Sequence, residues 1–253
     1  MMHKDSKTAG VIIIGNEILS GRTQDLNISY LGKGLEKLGI VLDQVIVIPD
    51  VEATIIDKVT AYSENYDYVF TTGGIGPTHD DITTESIAKA FDVKLLRNPD
   101  AVACMERYYE PSSLSEARLK MADIPEGASL IDNPVSGAPG IHINNVFVLA
   151  GVPNIMQAMF DSLIDRLVGG PPILSASVCT NLTESKLAEG MTKIQNQCEE
   201  VSIGSYPYFK RGKLGVNIVL RSTDKTLLLQ QTNLIEALIS DVDGKVLETK
   251  LPD

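Results

Sequence analysis

Short β-branched runs alternate with helix-patterned segments through residues 10–91, and that alternation narrows the possible folds more than any other feature. Gly10–Ile14 is apolar without a polar side, as a strand buried on both faces must be. Asp25 is placed to cap a helix that sets Ile28, Leu31, Leu35 and Leu38 at helical spacing and stops at Gly39. Ile40–Ile48 is the next strand, and Asp50 is placed to cap a helix with Val51, Ile55, Ile56 and Val59 on one face. Asp67–Thr72 reads as a third strand ending in a glycine-rich turn, and Ile82–Phe91 as a third helix. Strands separated by helices pair in parallel, with the helices laid over both faces of the sheet. The expected fold class is α/β on a mostly parallel sheet.

The middle of the chain is less regular. Pro99–Glu110 and Leu114–Met121 have helical character, Pro125–Gly127 is a turn, and Ser129–Asp132 and Ile141–Ile143 suit short strands. Asn144-Asn145 suits a hairpin turn into Val146–Leu149, and Pro153 is placed to open a helix running to Leu167. Gly169-Gly170-Pro171-Pro172 is the clearest linker. It separates a first domain, residues 1–170, from a second, residues 174–253. In the second, Leu174–Asn181, Val201–Tyr206 and Gly215–Arg221 are strand-like, and Glu184–Cys198 and Lys225–Asp241 helical. That β-α-β-β-α order predicts a small α+β plait with one helical layer.

Composition removes several classes. With 43% hydrophobic residues in 253, the chain has the apolar share of a folded globular protein. Its formal net charge is −11, whereas general nucleic-acid binders are basic because phosphate contacts carry their affinity; no nucleic-acid partner is expected. The basic residues Lys210, Arg211 and Lys213 read as a solvated hairpin tip, with no Gly-x-x-Gly clamp beside them. Cys104, Cys179 and Cys198 have neither zinc nor redox spacing and are expected to be free thiols. Met1–Gly10 lacks a secretory apolar region, and the longest apolar runs fall far short of the ~20 residues of a membrane span. A cytoplasmic protein with no membrane partner is the expectation.

The segment richest in chemistry runs from Thr71 to Glu85, Thr-Thr-Gly-Gly-Ile-Gly-Pro-Thr-His-Asp-Asp-Ile-Thr-Thr-Glu, between a strand and a helix. In open parallel sheets ligands bind beyond the carboxyl ends of strands, and glycines let backbone N–H groups approach a phosphate. It is neither a Walker loop nor a dinucleotide fingerprint, since the Gly-Lys-Ser/Thr and the third glycine are missing. Asp80, Asp81 and Glu85 put three carboxylates at the following helix start. They would repel a phosphate unless a divalent cation bridged the two. Together these groups suggest a metal-assisted phosphate or pyrophosphate site, with Asp80 and Asp81 as metal ligands. The acids would equally serve as helix caps, and His79 reads as a solvated loop residue.

Three further stretches stand out: the first lies on the same rim, and the other two read by themselves as a plain loop and a helix start. Gly15–Asn27 offers Asn16, Glu17, Ser20, Arg22 and Asn27 after the first strand. Asn133-Pro134-Val135-Ser136-Gly137-Ala138-Pro139-Gly140 is a stiff loop of small residues and prolines. Gly151-Val152-Pro153 leads from a strand into a helix.

In this order the four stretches resemble the MoaB/Mog molybdopterin-binding superfamily, and most closely its CinA branch, whose signature reads Gly-Gly-Leu/Ile-Gly-Pro-Thr-x-Asp-Asp-x-Thr. Ser205-Tyr206-Pro207 resembles the small KH-like domain that follows in CinA, so the resemblance spans nearly the whole chain. It implies a three-layer α/β/α first domain. It places a ligand phosphate on Gly73, Gly74, Gly76, Pro77 and Thr78, with catalytic or metal-binding roles for Asp81, Asp80 and Glu85. Asn16, Glu17, Ser20, Gly21 and Asp25, with Gly137 and Pro139, fall at ligand-loop positions. The pterin adenylyltransferases of the superfamily have Thr where Ile75 stands and Asp-Arg where Asn16-Glu17 stands; both departures follow the CinA branch. CinA-type domains are associated with metal-dependent ADP-ribose hydrolysis. The related domain of eukaryotic FAD synthases is associated with hydrolysis at a dinucleotide's pyrophosphate. The resemblance therefore implies a pyrophosphatase using Mg²⁺, Mn²⁺ or Co²⁺ on ADP-ribose-like substrates. The alternative is a molybdopterin carrier or adenylyltransferase-like protein of molybdenum cofactor biosynthesis. Members assemble as dimers or trimers, so a homo-oligomer is expected. CinA's C-terminal deamidase domain has no room here, and deamidase activity is not expected.

Overall fold

The computed structural model describes residues 7–110, 113–210 and 212–252. The chain divides into two compact units, one spanning Lys7–Gly169 and the other beginning at Gly170.

The first unit runs β1 (Lys7–Ile14), α1 (Asn16–Leu19), α2 (Asn27–Lys37), β2 (Ile40–Ile48), α3 (Glu52–Asn65), β3 (Tyr68–Thr72) and α4 (Thr83–Ala90). It continues through β4 (Leu95–Arg97), α5 (Pro99–Glu106), α6 (Glu116–Leu119), β5 (Asp123–Pro125) and β6 (Ser129–Ile131). It closes with β7 (Gly140–Ile143), β8 (Val146–Leu149) and α7 (Pro153–Leu163). Six strands form one sheet in the order β2-β1-β3-β8-β7-β6, parallel from β2 to β8 and antiparallel beyond.

The apolar runs alternate side chains between two cores. Ile12 and Ile14 of β1, Val69 of β3 and Val148 of β8 join Ile55, Val59 and Ile87 beneath α3 and α4. Val11, Ile13, Phe70 and Phe147 face the other way, onto Leu31 and Leu35 of α2 and Phe160 of α7. This period-two alternation with apolar residues on both sides is why these strands read as unbroken hydrophobic runs. Phe70 stacks on Phe147 with centroids 5.2 Å apart and meets the Phe160 ring edge-on at 5.8 Å.

Local differences have local causes. The helix expected over 99–110 ends at Glu106, and Tyr108 instead donates its hydroxyl to the Pro134 carbonyl at 2.6 Å. The one expected over 114–121 is a single α turn followed by a 3-10 turn at Lys120–Ala122. The helix opened by Pro153 is α-helical only to Leu163. The paired strands β4 and β5, three residues each, are too short to show alternation. Asp25 does cap the first long helix, accepting the Ile28 N–H at 2.9 Å. Asp50 does not cap α3; its carboxylate accepts the Asn16 N–H at 2.9 Å.

The second unit consists of β9 (Leu174–Thr180), α8 (Glu184–Gln197), β10 (Ser202–Lys210), β11 (Lys213–Ser222), α9 (Lys225–Asp241) and β12 (Val246–Lys250). Its sheet is fully antiparallel in the order β10-β11-β9-β12, the interleaved β-α-β-β-α-β plait. Leu187 of α8 and Leu228, Ile235 and Ile239 of α9 cover one face, against Val178, Ile218 and Leu220. Strand β12 lacks a sequence signature because four of its five residues are exposed and its pairing slips between Val246 and Glu248. Arg211 and the side chains of Lys210 and Lys213 lie outside the described residues. Cys104, Cys179 and Cys198 are free thiols. Among the described residues no helix is long and apolar enough to cross a membrane.

Candidate functional site

Parallel pairing brings the carboxyl ends of β1, β3 and β8 to one rim. The chain leaves β1 towards α2 on one face and leaves β3 towards α4 on the other, so the connections diverge at the carboxyl ends of β1 and β3. Such a divergence leaves a crevice where ligands bind in open α/β sheets. A cavity of about 630 Å³ opens there, within the usual size of small-molecule pockets.

The loop after β3 forms one wall, with Gly73 through Pro77 lining the cavity. Gly73 adopts φ +105°, and a Cβ there would lie 2.1 Å from the Ile14 carbonyl oxygen. Only glycine lets the loop pass so close to the end of β1. Gly73 donates its N–H to the Leu149 carbonyl at 3.1 Å, and Thr83 donates to the Gly74 carbonyl at 3.0 Å, tying the loop to β8 and α4.

Beyond the loop, Asp80 and Asp81 converge on Thr78. The Thr78 hydroxyl lies 2.5 Å from an oxygen of each carboxylate, and the Thr78 N–H donates to Asp81 Oδ2 at 2.8 Å. A hydroxyl carries one proton, so it donates to one carboxylate at a time while both negative groups stay against the same oxygen. Thr78 hydrogen bonding holds the Asp80 carboxyl below its ordinary range. Lys120 steadies the turn from outside, donating to the Thr78 and Asp81 carbonyls at 3.2 and 2.8 Å. Two carboxylates and a hydroxyl are hard oxygen donors of the kind Mg²⁺ or Mn²⁺ takes, sharing its shell with water and a ligand phosphate. Among the described residues no group of three or more His, Cys, Asp and Glu is placed to hold an ion. Asp80 and Asp81 therefore offer two acidic ligands, short of a cation site made by the protein alone.

The remaining walls come from other elements. Glu17 and Asp50 add two carboxylates beside Ile14. Ala150, Gly151, Val152 and Pro153 line it between β8 and α7, where Asn27 Nδ2 donates to the Gly151 carbonyl at 2.9 Å. Tyr109, Arg118, Met121, Asn133 and Ser136 also line it, with Thr23, Ala138, Ile155 and Met159. Asn133 organises its own loop, accepting from the Val135 and Ser136 N–H groups at 3.1 Å each.

Residues 10–169 match the family model described as "Probable molybdopterin binding domain". The chain belongs to this molybdopterin-binding domain family. Residues 172–242 match the model described as "FAD synthase, middle domain". A protein of Archaeoglobus fulgidus is 34% identical over 231 residues, which is 91% of this chain and 97% of that one. A "Probable FAD synthase" of Caenorhabditis elegans is 32% identical over 93% of this chain, which spans about half (51%) of that protein. Among solved structures, CinA of Thermoplasma acidophilum, described as of unknown function, is 36% identical with a TM-score of 0.59, covering 63% of this chain and 98% of its own.

In this molybdopterin-binding domain the rim cavity gathers Glu17, Gly73, Gly74, Gly76, Pro77, Asp80 and Asp81 from the residues singled out in the sequence. Thr78 stands behind the wall, holding Asp80 and Asp81. Glu85 does not line this cavity; it lines a smaller adjoining one with Gly76 and Asp81, and pairs with Lys89 at 2.8 Å, one helical turn on, which also reaches Glu52 at 2.6 Å. Asn16, Ser20, Gly21 and Asp25 do not line the rim cavity themselves, but Asn16 and Ser20 are bonded to its lining residues Asp50 and Glu17, at 2.9 and 3.2 Å. Gly137 and Pro139 also lie outside the lining; Gly137, at φ +73°, packs under the Tyr108 ring. His79 points into solvent, 98% exposed.

Asp50, Tyr109, Arg118 and Met121 are cavity residues that sequence reasoning passes over. Asp50 carries a usable signal, since it follows a strand at the ligand-binding rim. The other three lie in the irregular middle, where no periodicity says which way a side chain faces.

Proposed function

We propose that the chain binds a small phosphorylated ligand in the rim cavity and hydrolyses the pyrophosphate linkage of ADP-ribose-like nucleotides with a divalent metal. The observation that supports this reading best is the Asp80–Asp81 pair gathered on the Thr78 hydroxyl beside the glycine loop. Backbone from Gly73 to Pro77 would hold one phosphate. Asp80 and Asp81 would hold the metal, whose bound form supplies charge neutralisation and polarises water. Asp80, kept below its ordinary range by Thr78, is a carboxylate at neutral pH, the form that a metal needs. Ile14, Ile75, Ile155 and Met159 give the cavity apolar walls beside these polar groups.

The test is ADP-ribose turnover with Mg²⁺, Mn²⁺ or Co²⁺, with FAD as a second pyrophosphate-bearing dinucleotide. Asp81→Ala is expected to lower turnover on the order of 100-fold. Wild-type activity in that variant would refute the role given to Asp81.

The family model's description favours a second reading, a molybdopterin-binding carrier or adenylyltransferase-like protein using the same cavity. Calorimetric titration with molybdopterin and ADP-ribose separates the two: tight pterin binding without hydrolysis supports the carrier. In either reading the chain is expected to assemble with copies of itself, which light scattering on a sizing column measures.

A further inference from the structure

An anionic ligand entering the cavity meets four carboxylates, those of Glu17, Asp50, Asp80 and Asp81. Arg22, the cation in the first loop, is absent from the lining. Lys120 spends its ammonium on the carbonyls of Thr78 and Asp81. Among the described lining residues, the positive charge comes from Arg118. Its guanidinium carbon sits 4.7 Å from the centre of the Tyr109 ring, and one terminal nitrogen donates to the Ser113 carbonyl at 3.0 Å. Tyr109 is in turn packed against the core beneath α3 and α4.

Those two contacts use one face of the guanidinium and one of its five N–H groups. A planar group fixed in this way loses little freedom when it meets an oxyanion, and its fork matches the two oxygens of a phosphate. We infer that Arg118, oriented by Tyr109, is the specificity residue that makes this cavity select phosphorylated ligands over neutral ones of the same shape. The inference rests on the cavity being the ligand site of the proposed function, but it does not require hydrolysis. Arg118 would engage a phosphate of the ligand independently of the carboxylates.

The experiment is calorimetric titration of the full chain, with Mg²⁺ and again in chelator, using ADP-ribose, inorganic pyrophosphate and adenosine. Wild type should bind ADP-ribose and pyrophosphate far more tightly than adenosine. Arg118→Ala should weaken both anions by roughly 10- to 100-fold, the range for a lost charge-assisted pair, and leave adenosine unchanged. Arg118→Lys keeps the charge without the fork and should fall between. Tyr109→Leu should weaken the anions by roughly 2- to 5-fold, and Tyr109→Phe should not. Equal losses for adenosine and the anions, unchanged anion binding in Arg118→Ala, or no anion preference in wild type would each overturn the inference. Anion binding that depends on Arg118, with no ADP-ribose turnover in Mg²⁺, Mn²⁺ or Co²⁺, would refute the pyrophosphatase reading alone.

Discussion

Gly34 occupies the middle of helix α2, where glycine is about 1 kcal/mol worse than alanine. The structure explains its presence by packing: a Cβ on Gly34 would lie 2.3 Å from the Phe160 ring. The ring has nowhere to go. Phe160 is fully buried, edge-on to Phe70 at 5.8 Å and to Tyr30 at 6.2 Å. Forcing a methyl into such a core costs about 1–3 kcal/mol, and a contact this short belongs at the upper end. After the helical gain is subtracted, Gly34→Ala should destabilise the wild type by about 1–2 kcal/mol. Phe160→Ala should cost about 3–5 kcal/mol through the cavity it leaves. In that background the added methyl has room, so the same Gly34→Ala change should stabilise by about 1 kcal/mol. The sign inverts, with a coupling of about 2–3 kcal/mol between two residues 126 positions apart. Urea denaturation of the four proteins of the cycle measures it. Hydrogen exchange of the β1 and β3 amides assigns the loss to the first unit, because a chain of two units need not unfold in one step. Stabilisation of wild type by Gly34→Ala would refute the packing. Equal destabilisation in both backgrounds would show that the glycine serves the backbone and not the ring.

Three further outcomes are expected. Gly73→Ala and Gly127→Ala both place alanine at positive φ, +105° and +84°, but only the first meets a backbone oxygen, so it should lose about 2 kcal/mol more in the same denaturation assay. Lys120→Met removes both bonds to the Thr78–Asp81 turn, and amide exchange there should speed up roughly tenfold while that of β1 holds. Asp67 is held below its ordinary value near 3.8 by the Lys7 ammonium and the Thr8 N–H and hydroxyl. Its contribution is complete above that value and disappears as pH falls through the lower folded value, so wild type and Asp67→Asn should differ at neutral pH and converge in acid. Urea midpoints measured across pH check it.

The strands and long helices were legible because their signals are local. Ile40–Ile48 and Val146–Leu149 are the strands their apolar runs announce, and Lys225–Asp241 is the helix its pattern announces. The glycine loop was legible because backbone at Gly73 imposes a residue type that few other positions require. What failed were assignments that depend on a partner far along the chain. Asp50 had the spacing of a cap but was drawn to the Asn16 N–H by the folding of β1 beside β2.

The sequence by itself therefore determined an α/β sheet domain with a glycine-rich phosphate-type loop, followed by a plait, because periodicity and turn chemistry are properties of consecutive residues. Tertiary structure alone decided the plait's fourth strand and the far wall of the cavity. Strand β12 is held mainly by backbone pairing to β9, which nearly any side chains permit. Arg118 and Tyr109 reach the cavity because an irregular segment crosses to the rim where β1, β3 and β8 end. Their direction is set by the core they pack against, which no spacing along the chain encodes.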